Sequence, residues 1–355
     1  MPTISIEPEG VLKLLRGLNE NKASGPDGIS SKILKLAAEE LAPALTVIFN
    51  TSLRTGIVPA DWLTANISPI FKKGDKATAS NYRPVSLTSV CCKLLEHILY
   101  SNIMKHLDQQ KILTENQHGF RAQHSCETQL IQTIHDLGKS LDTRSQTDMV
   151  IMDFSKAFDT VPHKRLLHKI NSYGINSNTF NWISNFLTQR KQRVVINGEC
   201  SAWTHVKSGV PQGTVLGPLL FLLYINDLPD NINSTVRLFA DDCVLYSIIK
   251  DQSDSTKLQL DLDTLSKWQD TWQMRFNTSK CFVLCLSHAR STKQFNYTLG
   301  GTTLQETASH SYLGVEITND LKWGNHIQSI SARANRALGF IRRNLHCCPQ
   351  DLKSI

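Results

Sequence analysis

No apolar run in this chain approaches twenty residues. The longest, LGPLLFLLYI (216–225), is too short to span a bilayer, and the N-terminus MPTISIEPEGVLKLL has neither the basic start nor the long apolar centre of a secretory signal. These absences predict an intracellular, soluble protein with no membrane partner. C-x-x-C pairs are also missing. The nine cysteines, an odd number that includes the neighbours Cys91 with Cys92 and Cys347 with Cys348, read as reduced core thiols and not as disulfides or zinc ligands. No G-x-x-x-x-G-K-[ST] occurs, which excludes a P-loop NTPase, and the paired D-T/S-G turns of an aspartic protease are absent. No G-x-S-x-G elbow marks a nucleophile, although a Ser or Cys nucleophile stays open on sequence alone. Acidic residues are missing from Leu321 to Pro349, a segment that holds Lys322, Arg333, Arg336, Arg342 and Arg343. Such a segment suits phosphate contact, or it is an ordinary solvated helix face.

With 355 residues, 41% hydrophobic and 19% charged, the chain is long enough for a sizeable core, divided into two or three subdomains. Its formal net charge of +7 permits a polyanionic partner. No internal repeat or low-complexity tract interrupts a mixed α/β pattern. Helical spacing runs through SSKILKLAAEELAPALTVIFNTSLRTG as one long helix or two abutting ones, ending at Gly56. ANISPIFKKGDKATASNYRPVSL reads as strand, basic turn, polar loop and strand, followed by a helix from about Lys93 to Leu107. Met149 to Phe154 is an apolar strand broken only by Asp153, and Pro162 opens an amphipathic helix that Gly174 closes. Next come a helix over about Asn178 to Leu187, a basic hairpin-like stretch RKQRVVING, a turn SGVPQGTVLG and an apolar helix to Asn226. A strand pair around Asp241, a helix ending near Met274 and the strand KCFVLCLS follow.

The stretch RLFADDCVLYS sets two adjacent carboxylates, Asp241 and Asp242, inside an otherwise apolar strand pair. Like charges this close raise each other's pKa unless a cation compensates, so the pair is either a solvated turn or a ligand set. Asp153 at the exit of a buried strand supplies a third carboxylate. Three such groups at neighbouring strand ends suit two-metal phosphoryl transfer, in which ions about 4 Å apart activate the attacking oxygen and stabilise the leaving one. A glycosidase, which sets a proton-donating carboxyl opposite a second one, fits less well.

In order along the chain, NKASGPDGIS, ISPIFKKGDKATASNYRPVSLTSVCCKLLEHIL, TENQHGFRAQHSCETQL, DFSKAFDTV, SGVPQGTVLGPLLF, FADD, WQMRFNTSKCFVL and SYLGVEI resemble the motifs of a reverse transcriptase domain. The likeness is to non-LTR (LINE-type, jockey-like) retrotransposons, and the ordered set is far more specific than any single motif. The resemblance implies an α/β (α+β) fold of right-hand polymerase architecture: N-terminal extension and fingers over 1–130, a palm of antiparallel sheet plus helices over 131–318, and the start of an incomplete thumb over 319–355. It implies an RNA-directed DNA polymerase that extends a primer 3′-hydroxyl with dNTPs on an RNA template. The cofactor would be two Mg2+ ions, with Mn2+ an alternative, held by Asp153, Asp241 and Asp242.

Further roles are carried over on the matching positions. Phe158 would exclude a ribose 2′-hydroxyl, and plain core packing is its bland alternative. Gln212 would line the nucleotide pocket, Gly209 and Gly213 would let the backbone approach nucleic acid, and Arg83, Lys72 and Lys93 would hold the triphosphate. Lys280 would protonate pyrophosphate or else be a solvated strand cap. Arg190, Lys191, Arg193 and, on the terminal helix, Arg333, Arg336 and Arg343 would contact template or DNA primer backbones. On that helix Ile327, Ile330, Ala334, Leu338 and Ile341 form an apolar stripe. The family acts at chromosomal DNA, so a nuclear site is expected, and no endonuclease domain is expected in this chain. Two competing expectations stand: a truncated, inactive retrotransposon remnant that at most binds nucleic acid, and an RNA-binding or host regulatory protein descended from an element.

Overall fold

The structure is a computed structural model that describes residues 1–289 and 292–346. Within these residues the chain is mixed α/β and divides into two compact units. The first comprises 1–123, 154–230 and 267–276; the second comprises 124–153, 231–266 and the described residues from 277 onward. No helix of the described residues is long and apolar enough to cross a membrane.

In the second unit a sheet is built around the strand Gln146–Asp153. Its order is Gln305–Glu306, Phe282–Leu286, Gln146–Asp153, Asp242–Ile249, Thr235–Phe239. The central strand is buried from Gln146 to Met152, which explains its near-continuous apolar run. Leu137 and Leu141 of the helix Cys126–Asp142 pack on Met149, Ile151, Val244, Tyr246 and Leu284 to form its core. That helix starts with a capping box: Ser125 Oγ accepts from Thr128 N at 3.2 Å, while Ser125 N donates to Thr128 Oγ1 at 3.0 Å. The one acid inside the buried run, Asp148, accepts hydrogen bonds from Tyr297 Oη (2.7 Å) and Gln146 Nε2 (2.9 Å). The basic terminal segment forms a helix, Gly324–Leu345, with no buried residue, so its apolar stripe is exposed: Ile327, Ile330, Leu338 and Ile341 all face solvent.

In the first unit the 31–55 segment is two abutting helices, Ser31–Leu36 and Ala38–Thr55, and Gly56 closes the second in the left-handed conformation. Thr64–Phe71 and Tyr82–Leu87 pair as an antiparallel hairpin; Thr64–Phe71 also pairs in parallel with Lys191–Ile196, which itself pairs with Glu199–Cys200 and Thr204–His205. Helices Pro8–Arg16, Val90–Gln109, Ala157–Thr160, His163–Ser172, Ser177–Thr188 and Leu216–Ile225 also belong to it. The last of these is apolar on every side and almost wholly buried. The cysteine reading needs correction at two positions. Cys91, Cys92, Cys243, Cys281 and Cys285 are buried thiols, but Cys126 is half-buried and Cys200 is exposed on a short edge strand. Cys347 and Cys348 lie outside the described residues.

Candidate active site

Asp153 and Asp242 are register partners at the end of two neighbouring antiparallel strands in the second unit. The Thr235–Phe239 and Asp242–Ile249 strands are joined by Ala240 and Asp241 alone, because Phe239 pairs with Asp242. Ala240 takes the left-handed conformation at φ +52°, which costs a residue with a Cβ about 1 kcal/mol and is tolerated mostly where a turn has a task. The tight turn thus delivers Asp241 and Asp242 to the end of the strand that carries Asp153. Desolvation of the carboxyl, then the charges of Asp241 and Asp153, pushes Asp242 up to about 6, although the residue as a whole is exposed at the strand end. Lys280, just before the strand Phe282–Leu286, places Nζ 2.8 Å from Asp153 Oδ2. All four residues named for catalysis from the motifs therefore belong to the second unit, and Asp153, Asp242 and Lys280 are brought together.

Among the described residues no group of three or more His, Cys, Asp or Glu is drawn tightly enough to hold a metal ion. The donor chemistry nevertheless fits magnesium or manganese. The groups are carboxylate oxygens, and the desolvation and mutual repulsion that keep Asp242 reluctant to ionise are what a divalent cation offsets.

The residues named for the nucleotide pocket lie in the first unit. Phe158 stacks on Phe221 at 4.4 Å and meets Phe120 edge-on at 6.2 Å, so its ring is fixed and only half-buried. The turn Ser208–Gly213 is laced to the Phe158–His163 segment: Val210 N donates to Phe158 O at 2.7 Å, Gly209 N to Val161 O at 2.8 Å, and Ser208 Oγ to Asp159 O at 3.0 Å. His163 Nε2 donates to Gly209 O at 2.8 Å. Gly209 (φ +89°) leaves no room for a side chain, since a Cβ there would lie 2.7 Å from Asp159 O. Gly213 (φ +101°) is equally close to Ser86 O, and Ser86 N donates to Gln212 O at 2.7 Å. The glycines of the turn serve packing of backbone on backbone within the unit. Gln212 Nε2 donates to Asp159 Oδ1 at 3.0 Å.

Lys72 and Arg83 are exposed at the loop end of the hairpin formed by Thr64–Phe71 and Tyr82–Leu87, where Ile70 pairs with Arg83. Lys93 is half-buried and burial lowers its pKa. Lys191 is exposed, whereas Arg193 is held by Asn66 Oδ1 at 2.9 Å and lies over the Trp203 ring at 4.6 Å. Arg190 contradicts its expected role. It is 2% exposed, with its guanidinium over the Phe186 ring at 4.9 Å, so it is a core residue that cannot reach a phosphate. Arg333, Arg336 and Arg343 are exposed on the terminal helix.

Two positions escaped the motif reading. Glu96 is fully buried, and its Oε2 accepts from Val215 N (2.8 Å) and Leu216 N (2.9 Å), the first amides of the apolar helix that follows the Ser208–Gly213 turn. Its signal was a lone acid in the apolar run VCCKLLEHIL. Asp159 was the unassigned second aspartate of DFSKAFDTV.

Residues 70–317 match the family described as reverse transcriptase (RNA-dependent DNA polymerase), and the chain belongs to that family. Among curated relatives, the RNA-directed DNA polymerase from mobile element jockey of Drosophila melanogaster is 28% identical over 340 residues, covering 93% of this chain and 37% of that protein. The probable RNA-directed DNA polymerase from transposon X-element of the same fly is 30% identical over 340 residues, covering 94% and 37%. The probable RNA-directed DNA polymerase from transposon BS, also of that fly, is 27% identical over 359 residues, covering 96% and 39%. The chain thus spans little more than a third of the length of these relatives. The non-LTR likeness read from the motifs is borne out by them.

Proposed function

We propose that this chain is the RNA-directed DNA polymerase part of a non-LTR retrotransposon protein, extending a primer 3′-hydroxyl with dNTPs on an RNA template. The observation that carries the reading is the register pairing of Asp153 with Asp242, with Asp241 in the turn beside it, in a member of the reverse transcriptase family. The primer 3′-hydroxyl gives up its proton to solvent as its oxygen attacks the α-phosphorus of the dNTP, the bond from that phosphorus to the bridging oxygen breaks, and pyrophosphate leaves with its electron pair. Asp153, Asp241 and Asp242 would hold two magnesium ions, which when bound supply positive charge to the attacking and leaving oxygens. Lys280, already an ion-pair partner of Asp153, is the proton donor available to pyrophosphate.

Phe158, braced by Phe221 and Phe120, would exclude a ribose 2′-hydroxyl, and Gln212 would face the sugar. Lys72, Arg83 and Lys93 would meet the triphosphate by charge-assisted bonds. Lys191, Arg193, Arg333, Arg336 and Arg343 would meet phosphate backbones of template and primer. In this reading 1–130 form extension and fingers, 131–318 the palm and 319–355 the start of a thumb, and the protein works in the nucleus.

The test is primer extension by the purified chain on an RNA template with dNTPs and Mg2+, beside Asp241→Asn. The wild type should extend the primer and the variant should lose about 100-fold or more of that rate, as when a charge-stabilising group is removed. Equal product from both overturns the reading. Product from neither overturns it in favour of a remnant that at most binds nucleic acid.

A further inference from the structure

Asp159 sits where the Phe158–His163 segment and the Ser208–Gly213 turn are tied together, and its carboxylate accepts a hydrogen bond from the Gln212 side chain. We infer that Asp159 is a positioning residue that fixes which end of the Gln212 amide faces the incoming nucleotide. The inference rests on the polymerase reading above and deepens it.

The amide of glutamine has a donating and an accepting end, and a free one presents either. Gln212 donates from Nε2 to Asp159 Oδ1 at 3.0 Å. A carboxylate only accepts, so a flipped amide would set oxygen against oxygen and lose the bond. The carbonyl Oε1 of Gln212 is consequently the end left to accept a hydrogen bond from a donor such as a sugar hydroxyl.

Neither partner is free to drift. The backbone oxygen of Asp159 accepts from Ser208 Oγ at 3.0 Å, and the flanking Phe158 O and Val161 O accept from Val210 N and Gly209 N. On the other side, Gln212 O accepts from Ser86 N at 2.7 Å. With both backbones anchored, the side-chain bond decides only the amide's rotation.

Burial raises the Asp159 pKa, and the bond from Gln212, followed by the charges of Lys156 and Lys72, opposes that rise. Lys72 is itself expected at the triphosphate. The charge of the carboxylate is thus supported by the amide it holds and by two nearby lysines.

The experiment is steady-state primer extension on an RNA template, varying one dNTP, for wild type, Asp159→Asn, Gln212→Ala and the double variant, with melting temperatures measured alongside. The introduced asparagine is isosteric with aspartate but offers a donor as readily as an acceptor, so the Gln212 amide loses its preferred rotation. KM for the dNTP should rise about tenfold with kcat changed less than about threefold, the size of effect expected when one charge-assisted hydrogen bond is lost. In the Gln212→Ala background Asp159→Asn should add nothing, because its effect passes through that amide. Asp159→Ala, which removes the acceptor altogether, should reproduce the KM rise. An unchanged KM, or an equal rise in the Gln212→Ala background, overturns the inference and leaves the polymerase reading standing. A wild type that extends no primer overturns both.

Discussion

Removing charge from the strand-end carboxylates should stabilise the second unit when no divalent cation is present. In Asp242→Asn the side chain keeps its shape and loses both the cost of desolvating a charge and its repulsion from Asp241 and Asp153. The Asp242 pKa lies at about 6 against an ordinary value of 3.8, a difference worth about 3 kcal/mol at 1.36 kcal/mol per unit if it were fully expressed. The residue is exposed at the strand end, so solvent screening reduces this to about 1 kcal/mol.

The sign follows from proton binding. Because the folded state holds this proton more tightly than the unfolded state, stability falls as pH rises from about 4 through about 6, and the whole penalty is present at about pH 7.5. Thermal unfolding in EDTA should therefore show Asp242→Asn melting about 2–4 °C above wild type at about pH 7.5, the shift expected for about 1 kcal/mol in a unit of this size. The gap should shrink as pH falls through about 6 and be nearly gone at about pH 4. Millimolar Mg2+ should raise the wild-type melting temperature more than that of the variant, because ligand binding to the folded state alone stabilises it. A variant that melts at or below wild type at neutral pH in EDTA, or a gap indifferent to pH, would refute the account of Asp242 as a charge penalised by desolvation and by its acidic neighbours.

Two further outcomes concern the scaffold of the first unit. Glu96→Ala should cost about 2–4 kcal/mol in urea unfolding, since two helix-start amides lose their acceptor in the core, while Glu96→Gln, which keeps an oxygen, should cost less; equal costs would show that the capping bonds do not matter. Gly209→Ala should cost more than Gly198→Ala by about 2 kcal/mol. Both glycines have positive φ, but an added Cβ meets backbone oxygen at 2.7 Å only at Gly209 and nothing within 4 Å at Gly198. Matching costs would reduce the close approach at Gly209 to an ordinary conformational preference.

Much of this protein was legible in one dimension because its chemistry is local. The strand ending at Asp153, the FADD turn and the apolar helix Leu216–Ile225 each announce themselves within a dozen residues, through buried-strand runs, adjacent acids and all-round hydrophobicity. The register that sets Asp153 opposite Asp242 could be expected but not fixed, since it depends on how two strands far apart in the chain pair.

Long-range packing decided the rest. RKQR reads as one basic stretch, yet Arg190 is drawn into the core beside Phe186 while Lys191, where the parallel pairing with Thr64–Phe71 begins, stays exposed. Glu96 and Asp159 carry no local sign of their partners, the amides at 215–216 and the Gln212 side chain, since those begin 119 and 53 residues away. The sequence by itself determined which carboxylates, rings and basic groups this polymerase-family chain possesses and roughly which elements carry them. Only the tertiary structure decided which charges are buried and which amide each carboxylate holds, because burial and hydrogen bonding depend on neighbours that the chain brings together only when it folds.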